Sequence, residues 1–285
     1  MKYNSSVTQS QFYLQKKEEK MTKPLSVQLY SLREFAAKDF WKELKFVADV
    51  GYKGVEPAGF WNIRPSEFRK VLDDLGLKMY TSHSPWARMN NIGEVMDIAA
   101  AVGLDKIVCG YGRDDFADMD AIKRTAENTN KMREIVERNG FTLFQHNHDF
   151  EFARIDGVLK YEIYRKMVPG VKFQIDCFWS TNLGKEDPVE MLKLFADDTI
   201  SIHMKDGYTK QNVEGNKMVN GILERPVELT PLGQGTLPIG ELIKTMPDTV
   251  ETVIVELDFC CEEMHTALQK SYDYMVSNNF ASGNK

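Results

Sequence analysis

The chain has 285 residues, 42% of them hydrophobic, and 36 Lys and Arg against 42 Asp and Glu give a net charge of −6. These values suit one large or two small globular domains and exclude wholesale disorder, while an acidic balance without a basic stripe argues against nucleic acid. No apolar run is long enough to cross a membrane, and four cysteines without a secreted or zinc-binding spacing read as reduced thiols of a cytoplasmic protein.

In chain order, residues 1–23 are polar, contain the charged run 16–20 and lack an apolar signal-peptide core. They read as a flexible leader, with Met21 as an alternative start, and the domain is expected over 24–285. From there short apolar runs alternate with amphipathic stretches. Strands are expected at 26–30, 54–57, 78–83, 106–110, 141–147, 172–177, 201–205 and 252–258. Helices are expected at 39–50, 65–75, 91–102, 119–139, 188–195 and 261–279. Asp187-Pro188 is a helix-start signal, and Gly51, Gly76, Gly103 and Gly140 fall at helix ends just before the next strand.

Eight such units point to an α/β fold, a single (β/α)₈ TIM barrel. The chemistry-capable residues at the strand ends are Tyr30, Glu56, His83, Gly110, His146, Asp176, His203 and Glu256. Successive gaps are 26, 27, 27, 36, 30, 27 and 53 residues, close to the roughly 30 of a βα unit. The long last gap holds 207–240, rich in Gly, Pro and polar residues, and reads as an inserted loop over the barrel mouth. An open doubly wound sheet is the rival, but no GxGxxG follows the first strand.

Barrel active sites lie at the C-terminal strand ends. There the fifth strand ends in Gln145-His146-Asn147-His148-Asp149-Phe150-Glu151, the sixth in Gln174-Ile175-Asp176, the seventh in His203-Met204-Lys205 and the eighth in Glu256-Leu257-Asp258. Taken singly, Asp176 reads equally as a turn former and His203 as a buried structural imidazole. Glu256 closes the apolar run VIV and needs a partner for its charge. Together they read as a site for one divalent metal, Mn²⁺ first, with Co²⁺, Fe²⁺, Zn²⁺ or Mg²⁺ as alternatives, because mixed imidazole and carboxylate donors suit such ions. His83 and Lys205 are candidate substrate contacts, with a structural histidine and a solvated rim charge as the plain alternatives. Trp61, Trp86, Phe178 and Trp179 suit either stacking on a sugar ring or the core. His265 reads as surface or packing.

The segments SVQLYSLR, FQHNHDFEF, FQIDCFW, SIHMKD and VIVELD resemble the sugar phosphate isomerase/epimerase family of the xylose isomerase-like barrel superfamily, over residues 25 to about 280. The resemblance implies a metal held by groups from the fifth to eighth strands. Asp176, His203 and Glu256 match the last three. On the fifth strand the family's Glu is replaced, leaving His146 as first choice, Glu151 as second and His148 as a substrate contact. It further implies proton transfer beside a keto group of a sugar, with Glu256 as base and His146, His148 or Glu151 as its partner; of the mouth aromatics, Trp179 is the candidate substrate contact. Elimination from a keto-inositol or 3-keto sugar at the same site, and a barrel that only binds, are the alternatives. The partners expected are a small sugar-like substrate and a second copy of the chain in a homo-oligomer, with no nucleic acid and no membrane.

Overall fold

The computed structural model describes residues 22–210, 217–219 and 222–285. The leader expected at 1–23 lies outside them except for Thr22 and Lys23, the latter accepting a hydrogen bond from the Ser282 amide at 2.8 Å.

Eight parallel strands line the barrel: β1 (Leu25–Gln28), β2 (Gly54–Glu56), β3 (Lys78–Met79), β4 (Lys106–Cys109), β5 (Thr142–His146), β6 (Lys172–Asp176), β7 (Thr199–Met204) and β8 (Val253–Val255). Hydrogen-bonded ladders join neighbours all the way round except between β3 and β4. There the chain following β3 bridges to β4 through the Ala87 amide and the Val108 carbonyl, 2.8 Å apart. Eight helices surround the strands: α1 (Arg33–Val50), α2 (Pro65–Asp74), α3 (Ile92–Val102), α4 (Met119–Arg138), α5 (Lys160–Met167), α6 (Pro188–Phe195), α7 (Ile239–Thr245) and α8 (Met264–Ser277). Among the described residues no helix is long and apolar enough to cross a membrane.

All eight expected strands are present, several shorter than expected. The third was read as 78–83 but pairs only over Lys78–Met79; beyond it the chain peels away, returning one bond from the His83 amide to the Pro57 carbonyl at 2.8 Å. The expected helix start at Asp39 is a kink inside α1, where φ −153° and ψ 89° break the helix and the Asp39 carboxylate accepts from the Lys42 amide. Two helices were not anticipated. In α5 the buried stripe is made of Tyr161 and Tyr164 in only eight residues, and α7 has only seven, too few for a period to stand out. Among its described residues, the stretch expected as an inserted loop contains two antiparallel strand pairs. Asp206–Thr209 pairs antiparallel with Val227–Thr230, and Lys217–Val219 pairs with Ile222–Glu224. Pro231 and Gly233 sit in the turn that follows Val227–Thr230.

The strand alternation sends one set of side chains to the helices and the other into the barrel. Val27, Val55, Phe173, Ile175, Ile202 and Val255 belong to the apolar layer under the helices. The inward set carries the polar groups: Ser26 on β1 bonds Thr252, at the foot of the neighbouring β8, at 2.8 Å, and above them lie Gln28, Glu56, Gln174 and His203, each fully buried. A register shift between Phe173 and Gln174 brings Gln174 opposite Ser201 and Asp176 opposite His203. That shift sets which polar groups meet at the top of the barrel.

Candidate metal centre

The lower layer is a closed hydrogen-bond network. Gln174 donates its Nε2 to Glu56 Oε1 (2.8 Å) and to Ser201 Oγ (3.0 Å). Its Oε1 meets His83 Nε2 at 2.6 Å and His146 Nδ1 at 3.0 Å. Glu56 Oε2 accepts from Gln28 Nε2 (2.7 Å) and from His203 Nε2 (2.5 Å). One amide and one carboxylate thereby orient three imidazoles. The His83 ring stacks on that of His203 with centroids 5.1 Å apart.

Above this layer His203 Nδ1 lies 2.6 Å from Glu256 Oε2, and Lys205 Nζ donates to Asp176 Oδ2 (2.6 Å) and to Glu256 Oε2. Asp176 Oδ1 accepts from the Phe178 and Trp179 amides at 3.0 and 2.8 Å, so the turn after β6 holds its carboxylate. Asn147 fastens β5 to β6 by accepting from the Asp176 amide at 3.0 Å.

Burial and charge set the protonation states. Burial works against the charged forms of Glu56 and His203. The imidazoles of His83 and His203 nevertheless hold Glu56 down at about 2, and Glu56 and Glu256 hold His203 up at about 10. Glu256 stays well below the usual carboxylate range because Lys205 and His203 outweigh its burial. Lys205 is pushed up by Asp176, Asp258 and Glu256 despite its own burial. His146, buried beside His83 and His203, is well below the ordinary imidazole value and is therefore a neutral donor. Burial, with Glu256 and Asp176 nearby, raises Asp258 although Lys205 opposes this.

His146, Asp176, His203 and Glu256 come from four consecutive strands, and each offers one donor atom within 4.8 Å of all the others. All four are buried. The donor set fits a divalent ion: two imidazole nitrogens and two carboxylate oxygens close enough to converge on one centre, in a mixture that suits a first-row transition metal. Lys205 Nζ supplies positive charge to two of the same carboxylates. The rim position considered for this lysine is corrected: its side chain is 1% exposed, because β7 carries it inward on the same face as His203.

Glu151 lies outside this set. It is fully buried behind His148, accepting from the His148 amide at 2.9 Å, with Oε1 3.8 Å from His148 Nδ1. Burial raises its pKa, while its nearby carboxylate raises that of His148 against the effect of His148's own burial. His83, His146, His148, Trp179 and Glu256, with Tyr30, Ala58, Trp86 and Asp258, line a cavity of about 310 Å³ over the cluster. Trp61 and Phe178 lie apart from that lining. Trp61 stacks on Phe40 at 4.7 Å, and Phe178 is buried core. His265 packs between Phe35 and Phe46 and joins Glu43 to Glu263.

Glu56 and Gln174 were not singled out as site residues. The signal was present for Glu56, a carboxylate ending the apolar run Gly54-Val55, and the same reasoning that picked Glu256 applies to it. Gln174 shares the inward face of Asp176 by strand alternation, but its neutral amide gives no sign of the partners that the register of β6 brings to it.

Fold and site together define a (β/α)₈ barrel with a buried His/Asp/Glu cluster, consistent with a divalent metal site, at the C-terminal strand ends. The chain belongs to the xylose isomerase-like TIM barrel family, whose model matches residues 44–275. Solved structures agree on the fold. A sugar phosphate isomerase/epimerase from Parabacteroides distasonis is 21% identical with a TM-score of 0.67, over 92% of this chain and 96% of that one. A probable 3-DHS dehydratase from Bacillus anthracis is 14% identical with a TM-score of 0.69, over 90% and 99%. A xylose isomerase-like TIM barrel protein from Mycobacterium smegmatis, in complex with magnesium, is 15% identical with a TM-score of 0.60, over 92% and 99%. No curated protein matches the chain.

Proposed function

We propose that this protein is a divalent-metal-dependent sugar isomerase or epimerase that moves a proton next to a keto group. The observation that carries the reading is the convergence of His146, Asp176, His203 and Glu256 beneath a cavity large enough for a small sugar. In this reading those four residues hold the ion, which when bound acts as Lewis acid and template for a carbonyl and its neighbouring hydroxyl.

The chain's own groups do the rest. Glu256, in the cavity wall, takes the proton from the carbon beside the ketone at a carboxylate oxygen. His148 is its partner across the cavity. Glu151 faces His148 Nδ1 and favours the protonated ring, which leaves Nε2 as the nitrogen that exchanges a proton with substrate. Glu151 thus acts through His148. His83 holds a substrate oxygen and Trp179 covers a sugar face, while Lys205, buried behind the cavity wall, neutralises Asp176 and Glu256 rather than meeting substrate. Return of the proton to carbon completes isomerisation or epimerisation. Delivery to a β-oxygen breaks that C–O bond and releases water, the elimination alternative, which the likeness in fold to a probable dehydratase keeps in view.

The test is elemental analysis of wild type beside Glu256→Gln and His203→Ala, followed by proton exchange of keto sugars in D₂O. About one equivalent of Mn, Fe, Co, Zn or Mg in wild type, depleted in both variants, is expected. A wild-type protein that takes up no metal after reconstitution rules the reading out.

A further inference from the structure

Outside the metal-side cavity lies a second chamber of about 320 Å³. The two share Tyr30, His148, Trp179 and Asp258 as lining, so they adjoin. The outer chamber has a different character. Three arginines line it from three distant parts of the chain: Arg33 just after β1, Arg113 after β4 and Arg225 in the insertion before β8. Against them stand two carboxylates, Asp149 and Asp258. Asp149 is already met by Arg113 Nη2, 2.9 Å from each of its oxygens, and Asp258 faces Lys205 Nζ at 3.5 Å. Glu34 lies 3.9 Å from Arg33 but is 80% exposed, a pairing that solvent weakens. In a chain of net charge −6 this lining carries a local excess of positive charge.

The guanidinium groups are also held in place. Each sits over an aromatic ring: Arg33 over Tyr30 at 4.1 Å, Arg113 over Phe150 at 5.2 Å and Arg225 over Phe259 at 3.8 Å. Stacking of this kind fixes an arginine through its face and leaves N–H edges for hydrogen bonds, the arrangement suited to two-pronged recognition of a carboxylate or phosphate. Leu183, Pro226 and Val227 add apolar wall, so the chamber can seat a carbon skeleton as well as a charge.

We propose that the outer chamber is an oxyanion pocket and that the substrate is an acidic sugar, its keto end over the metal cluster and a carboxylate or phosphate at its far end among Arg33, Arg113 and Arg225. This rests on the keto-sugar reading of the inner cavity, and it adds the charge class of the substrate.

The test is binding rather than turnover. Fructose, fructuronate and fructose 6-phosphate carry one skeleton with a neutral, carboxylate or phosphate terminus, and each is titrated calorimetrically into wild type and into Arg33→Gln and Arg225→Gln. At least one acid should bind about ten-fold or more tighter than fructose, a gap that shrinks toward about 0.5 M salt and closes in the variants. Which acid gains identifies the anion. Equal binding of all three sugars, no binding of either acid, or an acid preference that survives in both variants overturns the proposal. An acid preference in a protein that takes up no metal leaves the chamber standing and removes the keto-sugar reading. Metal uptake and proton exchange without an acid preference do the reverse.

Discussion

Glu56 shows how much one side chain settles in this site. It is 0% exposed and anionic, and it holds His203 Nε2, so the other ring nitrogen, Nδ1, is turned toward Glu256. A carboxylate behind a metal-binding imidazole fixes its orientation and raises its basicity, and its loss usually costs 10–100-fold in metal affinity, to about that order. Glu56→Gln keeps the shape and removes the charge. It is expected to weaken metal retention by about 10–100-fold in a chelator competition while the thermal unfolding of the metal-free protein shifts much less. Unchanged retention would mean that Glu56 only fills space.

At the scale of elements, the insertion between β7 and β8 is tied down by Asp206. Its Oδ1 accepts from the Gly207 and Leu237 amides at 2.8 and 3.0 Å, and its Oδ2 from the Gly233 and Gly235 amides, both at 2.9 Å. Gly235 is required there by close approach, since a Cβ would lie 2.2 Å from the Asp206 carboxylate. Asp206→Ala removes the acceptor of four amides, of which only that of Gly207 belongs to a buried residue, and is expected to cost about 2 kcal/mol in urea unfolding, a buried unpaired group being worth about 1–3. It should also disturb the outer chamber, because the hairpin that Asp206 anchors carries Arg225, Pro226 and Val227. A loss below about 0.5 kcal/mol, the range of ordinary surface changes, would show that the turn holds without it.

At the scale of the molecule, the ends of the chain close the ring. Strands β1 and β8 pair directly, and His265 on α8 reaches Glu43 on α1 at 2.6 Å while also bonding Glu263 at 2.7 Å. Burial disfavours the charged imidazole, but hydrogen bonds to the two carboxylates raise its pKa. Burial likewise opposes ionised Glu263, yet hydrogen bonds from His265 and Thr266 hold it at about 2. A raised folded-state histidine stabilises fully below its unfolded value of about 6.5 and loses that contribution as pH rises through the folded value. Glu263 contributes above its unfolded value and loses that only as pH falls toward about 2. Both act near pH 5.5. His265→Gln should therefore lower the urea midpoint more at about pH 5.5 than at about pH 9.5. A pH-independent gap would reduce His265 to packing between Phe35 and Phe46.

Eight strands and six of the helices were legible because alternation, helix periodicity and helix-ending residues are local properties. Gly51 and Gly103 end α1 and α3 with left-handed φ of 116° and 73°, as their places in the sequence suggested. The strand-end residues His146, Asp176, His203 and Glu256 were legible for the same reason, since a strand's end is a position along the chain. Their meeting was expected from their shared place at the strand ends, while the contacts each makes there depend on register across four strands and on the shift at Phe173 and Gln174. Lys205 read as a substrate contact or a rim charge and is buried, and Gln174, on the same strand face as Asp176, stood out less because a neutral amide shows its role only through the partners the neighbouring strands bring to it. The arginine chamber belongs wholly to the tertiary structure. Arg33, Arg113 and Arg225 are far apart in sequence, and only barrel closure and the folding back of the hairpin bring their charges to one space. The sequence by itself determined the elements and their order, whereas the closing of the barrel decided which side chains share a low-dielectric interior and so what chemistry they can do.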